Sequence, residues 1–338
     1  MTPSRTADNV QIATPAELMR LATAFRQSRI VLTAFELGVF TALEERRMPS
    51  SAVAKALRAD ARGVDRLMNA LCALGLLRKW GGRFSNTPVS GEFLVRGKPG
   101  YLGGLAHTAN LWHSWTTLTQ AVARGGTVLR RRARKGSRRK RTRGFIAAMH
   151  QRASIQAGES VKLLDLSGVH KTLDVGAGSG AYSMALVRAG ADIRATVFDL
   201  PDVIALTRAY VRKAHLTRRF AFLAGDFRKE DFGKGYDLIL LSAIIHMNSP
   251  ADNKRLFRKC AKALNPAGRL VVQDYIMDDS RTRPEAGALF ALNMLVGTQA
   301  GDTFTEREVR GWMKAVGLSK IRRLDTPYEG SLLIGRKG

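Results

Sequence analysis

The run Thr172-Leu173-Asp174-Val175-Gly176-Ala177-Gly178-Ser179-Gly180, followed by Ala195-Thr196-Val197-Phe198-Asp199-Leu200-Pro201, decides the architecture of the second half of this 338-residue chain. Lys171 to Val175 reads as a short buried strand, and the three alternate glycines as a turn. Ala181 to Ala189 then reads as the start of an amphipathic helix. Glycine suits such a turn because the backbone takes open φ/ψ values and lets a ligand approach without a Cβ in the way. The helix behind it presents unpaired N–H groups at its N-terminus. A second strand ends in Asp199, twenty-three residues after Gly176. A carboxylate at that strand tip is placed to accept hydrogen bonds from both hydroxyls of a ribose, as in a doubly wound nucleotide site.

The spacing is G-x-G-x-G, not the G-x-G-x-x-G of dinucleotide sites, and no G-x-x-x-x-G-K-[ST] phosphate cradle occurs. A glycine turn and a ribose acid without phosphate-reading residues point to a nucleoside carried without phosphates, and S-adenosylmethionine fits. The glycines alone would equally suit any tight strand–helix turn; the acid on the next strand is what favours a site. Gly225-Asp226-Phe227 extends it after the third strand, with Asp226 to accept from an adenine amino group and Phe227 to pack on the ring face. The fourth strand, Tyr236 to Ser242, leads into Ala243-Ile244-Ile245-His246. His246 is the candidate base, since a neutral imidazole titrating near ~6.5 can take a proton from a substrate hydroxyl. The competing reading of a lone histidine in an apolar run is a structural one. Asp274, ending the fifth strand, is placed to hold the imidazole tautomer. The other histidines, His107, His113, His150, His170 and His215, are expected in helices or linkers far from this edge. No metal is expected, because the two cysteines are isolated and no histidines share a ligand spacing.

Composition bounds the rest. The hydrophobic fraction of 45% and charged fraction of 25% are those of an ordinary soluble protein. The longest apolar run, Leu238 to Met247, is interrupted by Ser242 and His246, far short of the ~20 residues of a membrane span. The N-terminus lacks a secretory core, and Cys72 and Cys260 read as buried free thiols, so a cytoplasmic location is expected. The formal net charge of +27 is concentrated: Arg124 to Arg143 holds eleven basic residues in twenty and no acid. Its functional reading is a docking arm for an acidic partner. The alternative is a solvated, disordered loop between domains.

Upstream, Pro15 to Phe25 and Ser28 to Leu37 read as helices, the second ended by Gly38. Ser50 to Leu57 and Val64 to Leu74 are two more, followed by short strands around Gly81-Gly82. Helix, turn, helix, hairpin is a winged helix. Its second helix offers few polar side chains for base edges, which favours a dimerisation role over DNA binding. After an aromatic helix through Trp112 and Trp115 and the basic run, Phe145 to Leu166 is expected as a helix. From Lys171 strands and helices alternate, which calls for a mostly parallel sheet with an antiparallel end pair near 319–325 and 331–335. The expected domains are 1–110, a helical linker 111–165 carrying the basic loop 124–143, and 166–338.

Three motifs together carry a resemblance. Asp174-Val175-Gly176-Ala177-Gly178-Ser179-Gly180, Phe198-Asp199-Leu200-Pro201-Asp202-Val203-Ile204 and Gly225-Asp226-Phe227 look like the class I S-adenosylmethionine-dependent O-methyltransferases, in the subgroup acting on caffeic acid, acetylserotonin and bacterial polyketides. Leu67 to Leu77, Asn86-Thr87-Pro88 and Tyr101-Leu102-Gly103-Gly104 are similar to that subgroup's winged-helix dimerisation domain. The resemblance implies a Rossmann-like α/β methyltransferase sheet behind an N-terminal α-helical dimerisation domain, and a homodimer. It implies that Gly176, Gly178, Asp199, Asp226, Phe227 and Ser242 line S-adenosylmethionine, that His246 is the base with Asp274 beside it, and that Met149 and Met294 flank a substrate ring. The implied acceptor is a hydroxyl on an aromatic or polyene small molecule. The chain departs from the pattern in having His246-Met247-Asn248 for His-Asp-Trp, and Thr303-Phe304 where a second acid is expected, with Asp302 nearest. Carbon methylation, a nucleic-acid-associated methyltransferase and a non-methylating cofactor-bound protein stand as alternatives. Against the nucleic-acid reading, Ser242-Ala243-Ile244-Ile245 lacks an Asn/Asp-Pro-Pro-aromatic run.

Overall fold

The computed structural model describes residues 12–129 and 135–338, and the described chain divides between Ala109 and Asn110 into two compact units. In the first unit, helix Pro15–Thr23 starts from a Thr14–Glu17 capping box, and helix Phe25–Leu37 ends where Gly38 turns left-handed at φ 81°. Helix Ala61–Ala73 is N-capped by Asp60, whose carboxylate accepts the Gly63 N–H at 2.8 Å. Strands β1 (Met48–Pro49), β2 (Leu77–Trp80) and β3 (Arg83–Asn86) form an antiparallel sheet in the order β1-β3-β2, with Gly81 and Gly82 at the β2–β3 turn. Phe40, Leu43, Val53, Val64, Met68, Leu71, Leu77 and Phe84 close one core beneath it. That is the expected winged-helix sequence of elements. Helix Pro15–Thr23 contributes nothing buried: Leu18, Met19 and Leu21 are 56%, 61% and 63% exposed.

The second unit is built on seven strands: β4 (Lys171–Val175), β5 (Arg194–Asp199), β6 (Phe220–Ala224), β7 (Tyr236–Ser242), β8 (Leu264–Asp274), then β11 (Leu318–Asp325) and β12 (Ser331–Lys337). The intervening β9 (Ile276–Met277) and β10 (Phe304–Thr305) form a small parallel pair of their own. The order β11-β12-β8-β7-β4-β5-β6 is parallel from β8 to β6, while β12 runs antiparallel to both neighbours. The strand order reverses beside β4, so the C-terminal ends of β4, β5, β7 and β8 open one crevice. Val, Ile and Leu fill β7 and β8 because both faces of a parallel sheet are covered.

Two expectations change here. The helix expected over Phe145 to Leu166 runs Lys135–Lys162, so the second half of the basic run is helical rather than loop. Arg and Lys have good intrinsic helix propensity and no proline interrupts the stretch. Residues 130–134, and with them the middle of the proposed docking arm for an acidic partner, lie outside the described residues. The fifth strand begins at Leu264, five residues before its expected start. Among the described residues no helix is long and apolar enough to cross a membrane.

Candidate active site

The glycine turn after β4 adopts φ values of 73°, 56° and 76° at Gly176, Gly178 and Gly180. A Cβ on Gly176 would sit 2.1 Å from the Ile244 side chain, so this glycine is required by close approach as well as by φ. The turn is tied to β5: the Gly176 N–H donates to the Phe198 carbonyl at 2.8 Å, and the Gly178 N–H to Asp199 Oδ2 at 2.8 Å. Asp199 Oδ1 accepts from the Leu200 N–H at 2.7 Å. Two backbone amides thus aim the carboxylate and leave its remaining lone pairs for hydroxyl donors. Burial pushes the Asp199 carboxyl above its ordinary range, opposed by these two amides. Beneath the turn, Asp174 is buried with Ser183 Oγ donating to it at 2.6 Å, and desolvation raises its pKa to about 7.

The other residues expected to line the nucleoside sit at neighbouring strand ends. Asp226 follows β6, half-buried, its Oδ1 accepting the Arg228 N–H at 3.0 Å, and Phe227 packs half-buried on the main core. Ser242 ends β7 and donates to Gln273 Oε1 at 2.7 Å. A turn closed to any Cβ at Gly176, an acid aimed by two amides at Asp199 and a half-buried acid at Asp226 fit a nucleoside without phosphates, such as that of S-adenosylmethionine.

The candidate base lies after β7. Ala243 takes φ 56°, a strained value for a residue with a Cβ, held by its N–H donating to the Gln273 carbonyl at 2.8 Å. The chain then makes a single 3-10 turn, Ile245–Met247, which buries His246. His246 Nδ1 lies 2.8 Å from Asp274 Oδ1 and 3.0 Å from Oδ2. A carboxylate can only accept, so Nδ1 carries a hydrogen and Nε2 is the ring nitrogen turned away from Asp274. Asp274 is itself held by the Tyr275 N–H at 2.8 Å. The structure therefore brings together the histidine and acid picked out in the sequence. The His246 and Phe290 rings meet nearly at right angles, 4.8 Å between centroids, and Phe290 stacks on Tyr275 at 4.6 Å. Tyr275 is gripped through its hydroxyl, which donates to Glu329 at 2.8 Å and accepts from Arg152 at 2.9 Å.

Asp302 does not reach the imidazole. Its N–H donates to the His246 carbonyl at 2.9 Å, while its carboxylate accepts from the Thr303 N–H and faces Arg281. A Cβ on Gly301 would come within 2.5 Å of the same His246 carbonyl, so glycine lets this loop close over the turn. Asn248 is buried and its amide donates to Asn253, which in turn donates to the Ile245 carbonyl. Met294 is buried on helix Glu285–Gly297 and Met149 half-buried on helix Lys135–Lys162. The imidazole of His246 pairs with Asp274 and packs against the ring of Phe290.

One histidine overturns its expectation. His150, expected far from the site, stands with Nδ1 at 2.9 Å from Ser179 Oγ in the glycine turn, its ring 4.0 Å from that of Tyr210. Burial, with the charge of Lys213, holds its pKa below the usual imidazole value. No motif marks it, because the contact joins residues twenty-nine apart through the packing of one helix on the turn. The same holds for Tyr275, Phe290 and Arg152.

Comparison with known proteins agrees with this geometry. An O-methyltransferase domain model matches residues 118–319, and an O-methyltransferase dimerisation domain model matches 19–96. A 3-hydroxy-5-methyl-1-naphthoate 3-O-methyltransferase from Streptomyces sahachiroi is 31% identical over 333 residues, covering 96% of this chain and 95% of that one. The tetracenomycin polyketide synthesis 8-O-methyl transferase TcmO of Streptomyces glaucescens is 29% identical, with 96% and 97% covered. Among solved structures, PigF with SAH superposes at a TM-score of 0.88 and 25% identity, covering 96% of this chain and 100% of that one. Human N-acetylserotonin methyltransferase in complex with SAM gives 0.82 and 25%, with 97% and 99% covered. The glycine turn, the aimed Asp199 and the match over most of its length make this chain a member of the O-methyltransferase family, an S-adenosylmethionine-dependent methyltransferase.

Proposed function

We propose that this protein transfers the methyl group of S-adenosylmethionine to a hydroxyl of an aromatic small molecule of the secondary-metabolite or pigment type. The observation that carries the reading is the His246–Asp274 pair, buried at the end of β7 with Nε2 left free. The relatives named for a naphthoate and for tetracenomycin support an aromatic acceptor. The bound donor supplies a methyl group already made electrophilic by its sulfonium charge. The chain's own tasks are alignment and proton removal. Gly176, Gly178, Asp199, Asp226, Phe227 and Ser242 would hold the nucleoside, so that the reactive end lies toward His246. Nε2 of His246 takes the acceptor's hydroxyl proton as oxygen attacks, and Asp274 stabilises the imidazolium that forms. Met149 and Met294 would flank the acceptor ring.

The experiment is His246→Ala, assayed for turnover on a hydroxyarene and for S-adenosylmethionine affinity by calorimetry. Lost turnover with retained affinity is expected; equal turnover would return His246 to a structural role. The dimerisation domain is proposed to pair two copies of this chain. The uncovered Leu18, Met19, Leu21 and Phe25 support it, since a contiguous apolar face of this kind needs a partner. Light scattering at micromolar concentration should read twice the 37.0 kDa chain mass, and a monomer there would end the proposal.

A further inference from the structure

Strands β4, β5 and β6 begin at the edge of the sheet opposite the glycine turn. Lys171 opens β4, Arg194 opens β5, and a single 3-10 turn, Thr217–Arg219, leads into β6. His170, Lys171, Asp192, Arg194, Arg218 and Arg219 line one cleft of about 390 Å³ there. The five residues of β4, at ~3.3 Å each, set it about 16 Å from Gly176.

The cations of this cleft lack carboxylate partners. Elsewhere in the second unit Arg152, Arg269, Arg281, Arg310 and Arg323 each meet an acid. Among the described residues none of Lys171, Arg194, Arg218 and Arg219 forms an ion pair, although Asp192 lines the same cleft. With His170 neutral, four cations against one acid leave the cleft at +3.

The groups that hold these side chains are neutral. Arg219 donates from Nε to the Ile193 carbonyl at 3.1 Å, and from Nη2 to the Ile193 and Gly190 carbonyls. Arg194 Nη1 donates to the Arg218 carbonyl at 3.3 Å, and Lys171 Nζ to the Lys234 carbonyl at 3.2 Å. A carbonyl orients a cation without cancelling its charge, so the remaining N–H groups are set in place for an anion. The exposed Arg218 side chain makes no hydrogen bond among the described residues.

We infer that this cleft is an anion site whose ligand carries two linked phosphate groups, as inorganic pyrophosphate does, or the end of a nucleoside diphosphate. Guanidinium forks match phosphate oxygens two at a time. A single phosphate carries at most about −2 and would leave the cleft positive, whereas a diphosphate can balance it. Because the crevice of the cofactor opens at the other ends of the same strands, the site fills with the cofactor in place.

The test is calorimetric titration of pyrophosphate, ADP and orthophosphate, at low salt, into the full chain loaded with S-adenosylhomocysteine. Pyrophosphate should bind at least about tenfold more tightly than orthophosphate. ADP binding as tightly as pyrophosphate would support a nucleotide as the source of the phosphates; ADP failing to bind would support the free inorganic ion. Arg218→Gln removes a side chain that holds no other group, so affinity for pyrophosphate should fall about tenfold with thermal unfolding unchanged. Arg218→Glu should abolish binding. Arg212→Gln, at an exposed arginine of helix Pro201–Lys213 outside the cleft, should change nothing. Equal losses in Arg212→Gln and Arg218→Gln, or equal affinity for orthophosphate and pyrophosphate, would overturn the site and leave the generally basic surface as the cause. A DNA duplex that needs Arg218 for binding and is not displaced by pyrophosphate would overturn it in favour of a nucleic-acid face. Pyrophosphate that fails to bind the wild type would end it outright.

Discussion

The two halves of the active site are built in different ways. The proposed nucleoside half is local: Gly176 and Gly178 follow β4, are tied to the end of β5 at Phe198 and Asp199 by backbone amides, and these links span twenty-two and twenty-one residues. The proposed acceptor half, around His246, is gathered from afar. His246 meets Asp274 across twenty-eight residues, Arg152 meets Tyr275 across 123, and Trp115 meets Asn293 across 178. A half made of backbone geometry tolerates few sequences, whereas a half made of side chains on separate helices can be re-cut residue by residue. This difference suits a fold that holds one methyl donor and many acceptors.

Three substitutions sharpen or break that contrast. The largest effect is expected in the acceptor half, where His246→Ala should lower turnover by ~100–10,000-fold, the usual range for a positioned base, with S-adenosylmethionine affinity nearly intact. A parallel loss of affinity would mean that the two halves are not separable. Next comes the floor of the nucleoside half. Asp174 has its pKa raised to about 7 by burial, against 3.8 for the free side chain. Between these values the folded protein holds a proton that the unfolded chain has released, so this group's contribution to stability is full below pH 4 and is lost as pH rises through 7. Asp174→Asn removes the ionisable group and keeps an oxygen for Ser183. Relative to the wild type, the variant should gain about 3 kcal/mol between pH 5 and pH 8, read by urea unfolding at each pH. A constant difference between the two proteins would show that Asp174 does not titrate there. The smallest of the three is Asp199→Ala. Loss of hydrogen bonds to a charged acceptor should weaken S-adenosylmethionine by ~2 kcal/mol, roughly thirtyfold, without changing which hydroxyarene is preferred. A changed acceptor preference would tie the halves together again.

The nucleoside half was legible because glycine at positive φ and an acid at a strand tip are demands of backbone geometry, and such demands leave the same residues at the same spacing. His246 and Asp274 were legible from strand order alone, since parallel strands β7 and β8 deliver their C-terminal residues to one edge. The helix at Lys135 was misplaced because a run of like charges reads as a loop, while the helix it joins is fixed by the packing of its later turns: His150 against Ser179 and Tyr210, Ala157 and Val161 in the core behind β4. His150 went unrecognised for the same reason, and Asp302 proved to serve the His246 backbone and not its ring.

What the sequence by itself determined is therefore the alternation of strands and helices, the winged-helix unit, the glycine turn and the meeting of His246 with Asp274. Each is set by short-range periodicity, by turn stereochemistry or by the fixed delivery of strand ends. Only the tertiary structure decided the surroundings of His246: the clamp of Arg152 and Glu329 on Tyr275, the ring contact of Phe290 with His246, and the bond from Trp115 to Asn293 on the same helix as Phe290. Those contacts join helices whose sequences specify only that one face is apolar. Which side chains meet across them is set by how the helices pack, and packing is a property of the whole chain.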